Sequence, residues 1–381
     1  MPPPPLTLYV HLPWCVAKCP YCDFNSYAAG ESAPRERYLD ALIHDISNEA
    51  TRAGGRQLIA VYLGGGTPSL FRAEEIGRLL DGVAQNFSLT SDVEITMEAN
   101  PGTVECGDPA GYRSAGVNRL SIGAQSFSQE ALKILGRIHS VDDIKRSVDE
   151  ARAAGFDNIN IDVMYGLPNQ DVTLALTDVE AALAFEPQHF SWYQLTLEQN
   201  TVFHARPPEG MPNNDQSFAI QHAGQELIAE RGYEQYEVSA FSKPGLRSRH
   251  NVNYWTFGDY LAVGAGAHGK VTAGDGVRRY AKPANPNSYM QAIESGSPQT
   301  LAPPIETSEL MFEFMLNALR LTGGFDEGLF EARTGVARNR LAEAAAASLK
   351  RGLIERDVAG WWAPTALGQR FLNDLQAEFL P

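Results

Sequence analysis

The sequence predicts an α/β protein: an incomplete (β/α)6 barrel followed by a small C-terminal winged-helix-like domain. Two observations carry this. Over the first two-thirds of the 381 residues, short apolar runs alternate with helical stretches, the pattern of a parallel sheet wrapped by helices. After about residue 200 that alternation blurs, and past a Pro-rich connection the chain turns mostly helical. A chain of this length also exceeds the usual size of one core.

The expected strands are Leu6–Leu12, Ile59–Leu63, Val93–Met97, Arg119–Ile122, Ile159–Val163 and Phe190–Leu195. Helical patterns lie between them near 34–53, 73–86, 128–136, 142–154 and 171–185. Six such units suit an incomplete barrel, and ligands of parallel sheets bind where strands end at their carboxyl side. A helix near 215–231 leads to Tyr233–Phe241, then to an Arg/His/aromatic-rich stretch at 247–260 and a glycine-rich segment at 263–269. Helices near 306–320, 325–333 and 338–351 follow, then Gly352–Asp357 and Gly360–Ala363 as a two-stranded wing, and a last helix from Thr365. The expected divisions are a barrel over 1–240, a barrel extension over 241–297 and the winged unit over 298–381.

Composition narrows the function. With 44% hydrophobic and 20% charged residues, the chain reads as an ordinary globular protein. A formal charge of −15, from 46 acidic and 31 basic residues, argues against wrapping a phosphate backbone. No apolar run suits a membrane span, and Met-Pro-Pro-Pro-Pro-Leu lacks the features of a secretory leader. The expectation is a cytoplasmic protein with no nucleic-acid partner.

Three of only four cysteines fall at Cys15, Cys19 and Cys22, directly after the first strand. A tight Cys-x3-Cys-x2-Cys loop can aim its sulfurs at one inorganic centre. Three thiolates hold three corners of a [4Fe–4S] cube and leave one iron open to a small ligand. A structural zinc site would want four ligands, with His11 near enough in sequence to be the fourth, though alternation on the strand suits a core role equally. Cys106 stands alone and reads as an ordinary thiol. The spacing resembles that of the radical S-adenosylmethionine (SAM) superfamily. There the open iron binds the amino and carboxylate groups of SAM, whose cleavage gives a 5′-deoxyadenosyl radical.

Further residues fall at strand ends. Gly64-Gly-Gly-Thr-Pro68 follows the second strand, and glycines let backbone approach a ligand. The resemblance assigns Gly65, Gly66 and Thr67 to the methionyl ammonium of SAM. Glu98 ends the third strand, Gln125 the fourth, and Asp162 lies within the fifth. Carboxylates and amides suit ribose hydroxyls, whereas Arg137 suits a carboxylate. Each alone also reads as an internal salt bridge or helix cap.

Together Tyr9-Val-His-Leu-Pro-Trp-Cys15, Gly-Gly-Gly-Thr-Pro-Ser69, Glu98-Ala-Asn-Pro-Gly102, Ser121-Ile-Gly-Ala-Gln-Ser-Phe127, Leu135-Gly-Arg-Ile-His139 and Asp162-Val-Met-Tyr-Gly-Leu-Pro168 resemble the oxygen-independent coproporphyrinogen III oxidase group. Within it the match is closest to the HemW family, haem-binding relatives of the oxidase. By this resemblance Tyr9 and Tyr21 join the cofactor-binding set. Two departures separate the chain from true oxidases: Phe24 stands where they carry a further cysteine, and only eight residues precede Tyr9 where they have a longer arm. His250-Asn-Val-Asn-Tyr-Trp255 resembles a HemW pattern. It offers an imidazole for iron and aromatic rings for a macrocycle, with His268 a rival ligand and Arg247 and Arg249 cations for propionates. The bland alternative is an aromatic packing corner.

The resemblance implies a haem chaperone, without oxidase activity, that binds a [4Fe–4S] cluster, SAM and haem. It would pass haem to acceptor proteins, membrane-associated ones included, with a homodimer left open. The alternative is the oxidase itself, a radical SAM enzyme decarboxylating two propionates of coproporphyrinogen III. Radical modification of tRNA or protein fits the charge and motifs less well.

Overall fold

The computed structural model describes residues 3–30, 33–102, 107–296 and 301–381, so Cys106 and the expected boundary at 297/298 lie outside the described residues. Its largest element is an eleven-stranded sheet. Six strands run parallel in chain order: β1 (Leu6–Leu12), β2 (Leu58–Gly65), β3 (Leu89–Ala99), β4 (Arg119–Gln125), β5 (Ile159–Tyr165) and β6 (His189–Gln194). Helices over 35–53, 73–86, 129–134, 141–153 and 172–183 connect them, with a short extra helix at Pro109–Ala115.

Alternation along each strand sorts residues between two faces. Leu6, Leu8, Val10 and Leu12 of β1 are fully buried, in the same core as Val61, Leu63, Met97, Ile122, Ile161 and Phe190. The intervening residues of opposite parity are largely polar: Thr7, Tyr9 and His11, then Glu94, Thr96 and Glu98, then Ser121, Gln125, Asn160 and Asp162. The concave face of the sheet is therefore a polar lumen, and its polarity follows from the period of two.

The segment after residue 200 departs from expectation by adding strands to both edges. β7 (Glu234–Glu237) and β8 (Ala240–Ser242) pair antiparallel beyond β6. β9 (Asp259–Val263) pairs parallel with β1, and β10 (His268–Ala273) and β11 (Gly276–Ala281) follow antiparallel. The order is β11-β10-β9-β1-β2-β3-β4-β5-β6-β8-β7, so the barrel is not closed. Buried ion pairs lock the added strands in place. Lys282 meets Asp45 at 2.6 Å and Glu49 at 2.7 Å on the first helix, and Lys270 meets Asp259 at 3.0 Å.

The C-terminal unit has its own core of Phe314, Phe330 and Trp362, which also takes in Phe257 and Val277. Helices at 307–318, 327–334, 338–344 and 346–350 pack with a three-stranded antiparallel wing, β12 (Phe325–Asp326), β13 (Ile354–Arg356) and β14 (Trp361–Pro364). The third wing strand, not expected, arises because Phe325 and Asp326 pair with Trp362 and Trp361 before the helix begins. Backbone from this unit reaches both free edges of the large sheet. Ala302 and Ile305 donate to the Arg279 and Val277 carbonyls of β11. Thr322 donates to the Tyr236 and Gln235 carbonyls of β7. Among the described residues no helix is long and apolar enough to cross a membrane.

Candidate functional site

The lumen holds a cavity of about 470 Å³ whose walls include Cys15, Cys19, Cys22, Tyr21, Gly65, Gly66, Thr67, Glu98, Gln125, Arg137 and Asp162. Eleven of the thirteen residues singled out from the sequence thus line one space. Tyr9 and His250 stand outside that lining.

The cysteine loop leaves β1 through a short bridge, Trp14–Cys15 beside Tyr27–Ala28. Lys18 folds it back by donating to the Phe24 and Ser26 carbonyls at 3.0 and 3.3 Å. All three cysteines are free and partly buried, and burial pushes the thiols of Cys15 and Cys22 up. The Arg137 Nη1 lies 3.7 Å from the Cys19 sulfur, a cation suited to thiolate charge. Among the described residues no three His, Cys, Asp or Glu side chains are arranged around a single ion. A cluster takes its thiolates at separate corners, and three soft sulfurs facing one cavity fit an iron–sulfur cluster. His11 is not available as a fourth ligand: its Nδ1 lies 2.9 Å from the Tyr9 hydroxyl and its Nε2 2.8 Å from the Asn25 carbonyl.

Glu98 stands next along the lumen. Its carboxylate accepts from the Tyr62 hydroxyl at 2.9 Å and from the Gly65 backbone N–H at 3.0 Å. Burial outweighs both bonds and lifts its pKa to about 7. The glycines also have a packing reason. A Cβ on Gly65, at φ +114°, would sit 2.3 Å from the His11 ring, and one on Gly66 would sit 2.6 Å from the Trp14 carbonyl oxygen. They let β2 pass close to His11 and to the backbone of the segment that leads into the cysteine loop.

Asn100, not singled out from the sequence, joins two residues that were. Its Nδ2 donates to the Thr67 hydroxyl at 3.0 Å, and Arg137 donates to its Oδ1 at 2.7 Å. Gln125 takes φ 69° where β4 breaks register with β5, and it accepts from the Tyr193 hydroxyl at 2.6 Å. Asp162 accepts from Ser121 at 2.9 Å and from Asn160 at 2.8 Å, and burial raises its pKa. Asn160 continues to His189 at 2.6 Å, and His189 to Tyr236 at 2.8 Å. The parity that places Glu98 in the lumen also reaches Asn100, Ser121 and Tyr193.

The His250–Trp255 segment is a short helix, Arg249–Trp255. Its first turn sits against the middle of β3, where Ser248 and the Arg249 N–H meet Glu94. His250 stacks 4.8 Å from Tyr62 and 6.3 Å from Tyr9, its Nδ1 buried without a hydrogen-bond partner. Burial, then the Arg119 charge, lowers its pKa to about 4, which keeps the imidazole neutral. Asn251 and Trp255 line the same cavity as the cysteines. Through Asn251 and Trp255 the segment therefore forms the floor of the chamber that the cysteines line. Arg247 and Arg249 face away from it, paired with Glu234 at 3.5 Å and Asp92 at 2.7 Å. His268 is exposed at the start of β10. Phe24, 60% exposed, stands at the rim of the mouth.

Residues 9–177 match the radical SAM superfamily, and residues 305–371 match the HemN C-terminal domain. The chain is 44% identical over 378 residues to the protein named heme chaperone HemW of Escherichia coli (strain K12), covering 99% of this chain and 98% of that one. It is 42% identical over 382 residues to the protein named heme chaperone HemW of Haemophilus influenzae, with coverage of 99% of this chain and 98% of that one. In structure it resembles coproporphyrinogen III oxidase (HemN) from Escherichia coli, described as a radical SAM enzyme. That TM-score is 0.83 at 23% identity, over 100% of this chain and 91% of the other, a likeness of fold.

Proposed function

The chain belongs to the HemW family of the radical SAM superfamily, and from that premise we propose that it binds a [4Fe–4S] cluster, SAM and haem and delivers haem to acceptor proteins. The observation that carries the reading is the single chamber. Cluster cysteines, strand-end polar residues and the His250–Trp255 helix all border it.

In this reading Cys15, Cys19 and Cys22 hold three irons, and Tyr21 packs the loop against Phe203, 6.3 Å away between ring centres. Gly65, Gly66, Thr67, Glu98, Gln125, Arg137 and Asp162 orient SAM beneath it. Tyr9 acts at one remove, holding His11 and so the strand under the loop. When bound, the reduced cluster would supply an electron to the sulfonium. What the chain itself supplies is placement: Arg137 balances thiolate charge, and Glu98 offers a proton near neutral pH. His250, neutral and stacked on Tyr62 just behind the chamber lining, is the candidate imidazole for haem iron. The setting proposed is cytoplasmic, with acceptors that include membrane-associated proteins. The proposed divisions are a barrel over 1–240, its extension over 241–297 and the winged unit over 298–381.

One preparation tests this. After anaerobic reconstitution, the protein should take up haem with a Soret band, and it should not convert coproporphyrinogen III to protoporphyrinogen IX with SAM and reductant. Sustained turnover would replace the chaperone reading with the oxidase.

A further inference from the structure

We propose, resting on the haem reading above, that Arg320 receives a propionate carboxylate of haem in a subsite on the chamber floor, which the C-terminal unit completes. Among the described residues three cations line the chamber: Lys18, Arg137 and Arg320. Lys18 is held by two carbonyls of its own loop. Arg137 is drawn to Asn100, the Gly123 carbonyl and Cys19 at the cluster end. Arg320 alone stands on the floor, and it comes from the far side of the fold.

Its guanidinium lies 4.4 Å over the Trp255 ring, a stacking that fixes its plane. One Nη meets Glu237 at 3.1 Å and Ser239 at 3.4 Å, while Nε is buried with no hydrogen-bond partner. The Trp255 indole N–H is buried and unpartnered as well. Five donors on a guanidinium exceed what these contacts use. Buried polar groups left unmade are costly, and two such donors side by side in the chamber wall point to an acceptor that enters from the chamber. A carboxylate is the acceptor that suits a planar fork. SAM carries one, but by family resemblance its carboxylate sits on the open iron, at the other end of the chamber. That leaves the floor cation for a propionate. Glu237, only 5% exposed in its side chain, then acts as a stand-in that holds Arg320 until cargo arrives.

The test is a set of titrations on the reconstituted full-length protein, with haem, with haem dimethyl ester (both carboxylates blocked), and with SAM. Arg320→Ala should weaken haem by about 10- to 100-fold, the range of a charge-assisted hydrogen bond, and leave the dimethyl ester unaffected. Glu237→Gln, which weakens the stand-in, should tighten haem but not the ester. Equal loss for haem and ester would mean that Arg320 only supports the fold, and loss of SAM instead of haem would give the site to SAM; either overturns the proposal. Should Arg320→Ala fail to fold, an unchanged haem affinity in Glu237→Gln is sufficient to reject it. No haem binding by the wild type would refute the underlying haem reading and this inference with it.

Discussion

Arg137 donates a 2.7 Å hydrogen bond to the Asn100 side-chain oxygen, and this pairing couples the cysteine loop to the glycine turn. The same guanidinium lies against Cys19, and the same amide holds Thr67. One side chain thus links the proposed cluster site to the proposed SAM-binding turn.

Asn100→Ala should therefore weaken SAM while sparing the cluster. Losing a buried bond to a charged partner is worth about 1.5–3 kcal/mol, or roughly tenfold and more in affinity. The check is SAM titration of the reduced protein by electron paramagnetic resonance, with iron content measured alongside. Full SAM affinity in the variant would break the link between this pairing and the ligand.

Replacing any of Cys15, Cys19 or Cys22 with Ala should remove iron and sulfide, since two thiolates hold a cube poorly. Iron and acid-labile sulfide assays after anaerobic purification decide it. Zinc found in place of iron would end the cluster assignment.

Gly65→Ala should damage the fold before it touches any ligand. The new methyl meets the His11 ring, and φ +114° is strained for any side chain. We expect a loss of about 2–4 kcal/mol. The double variant His11→Ala/Gly65→Ala should recover part of it, because only the steric component is relieved. A melting temperature equal to wild type in the single variant would contradict this packing.

Glu98 predicts a pH signature. Its folded pKa of about 7 lies above that of an unfolded carboxyl near 4.3. The native state then holds the proton more tightly, so this contribution to stability is full below about pH 4 and is lost as pH rises through 7. Glu98→Gln cannot ionise and should lack that loss. In cluster-free protein the stability of wild type relative to the variant should fall by on the order of 2–3 kcal/mol between pH 5 and pH 8. Parallel pH profiles would show that Glu98 is ordinary in its titration.

Much of this was legible because the chain's chemistry follows its periodicity. The six parallel strands were visible as apolar runs, and Glu98, Gln125 and Asp162 were visible as polar interruptions of them. Other features needed three dimensions. β9 is a fully buried run, Asp259–Val263, but it was masked by the aromatic helix before it and the glycines after it. The packing reason for Gly65 is one of these: a side chain there would meet His11. That depends on which strand lies above, which no local pattern records. Arg320 had no sequence signal: it lies in the C-terminal unit and reaches the chamber only because that unit docks against Tyr236 and Glu237.

The backbone bonds from Ala302, Ile305 and Thr322 have a consequence for the chain's solution behaviour. An open sheet carries two rims of unmatched amides and carbonyls, each a template for another chain to add itself. Here one appendage shields both rims at once. A protein cut short at residue 300 would bare the two together, and such a fragment should self-associate in strand-on-strand stacks rather than survive as a soluble half. The terminal unit is in this sense the chain's safeguard against polymerisation.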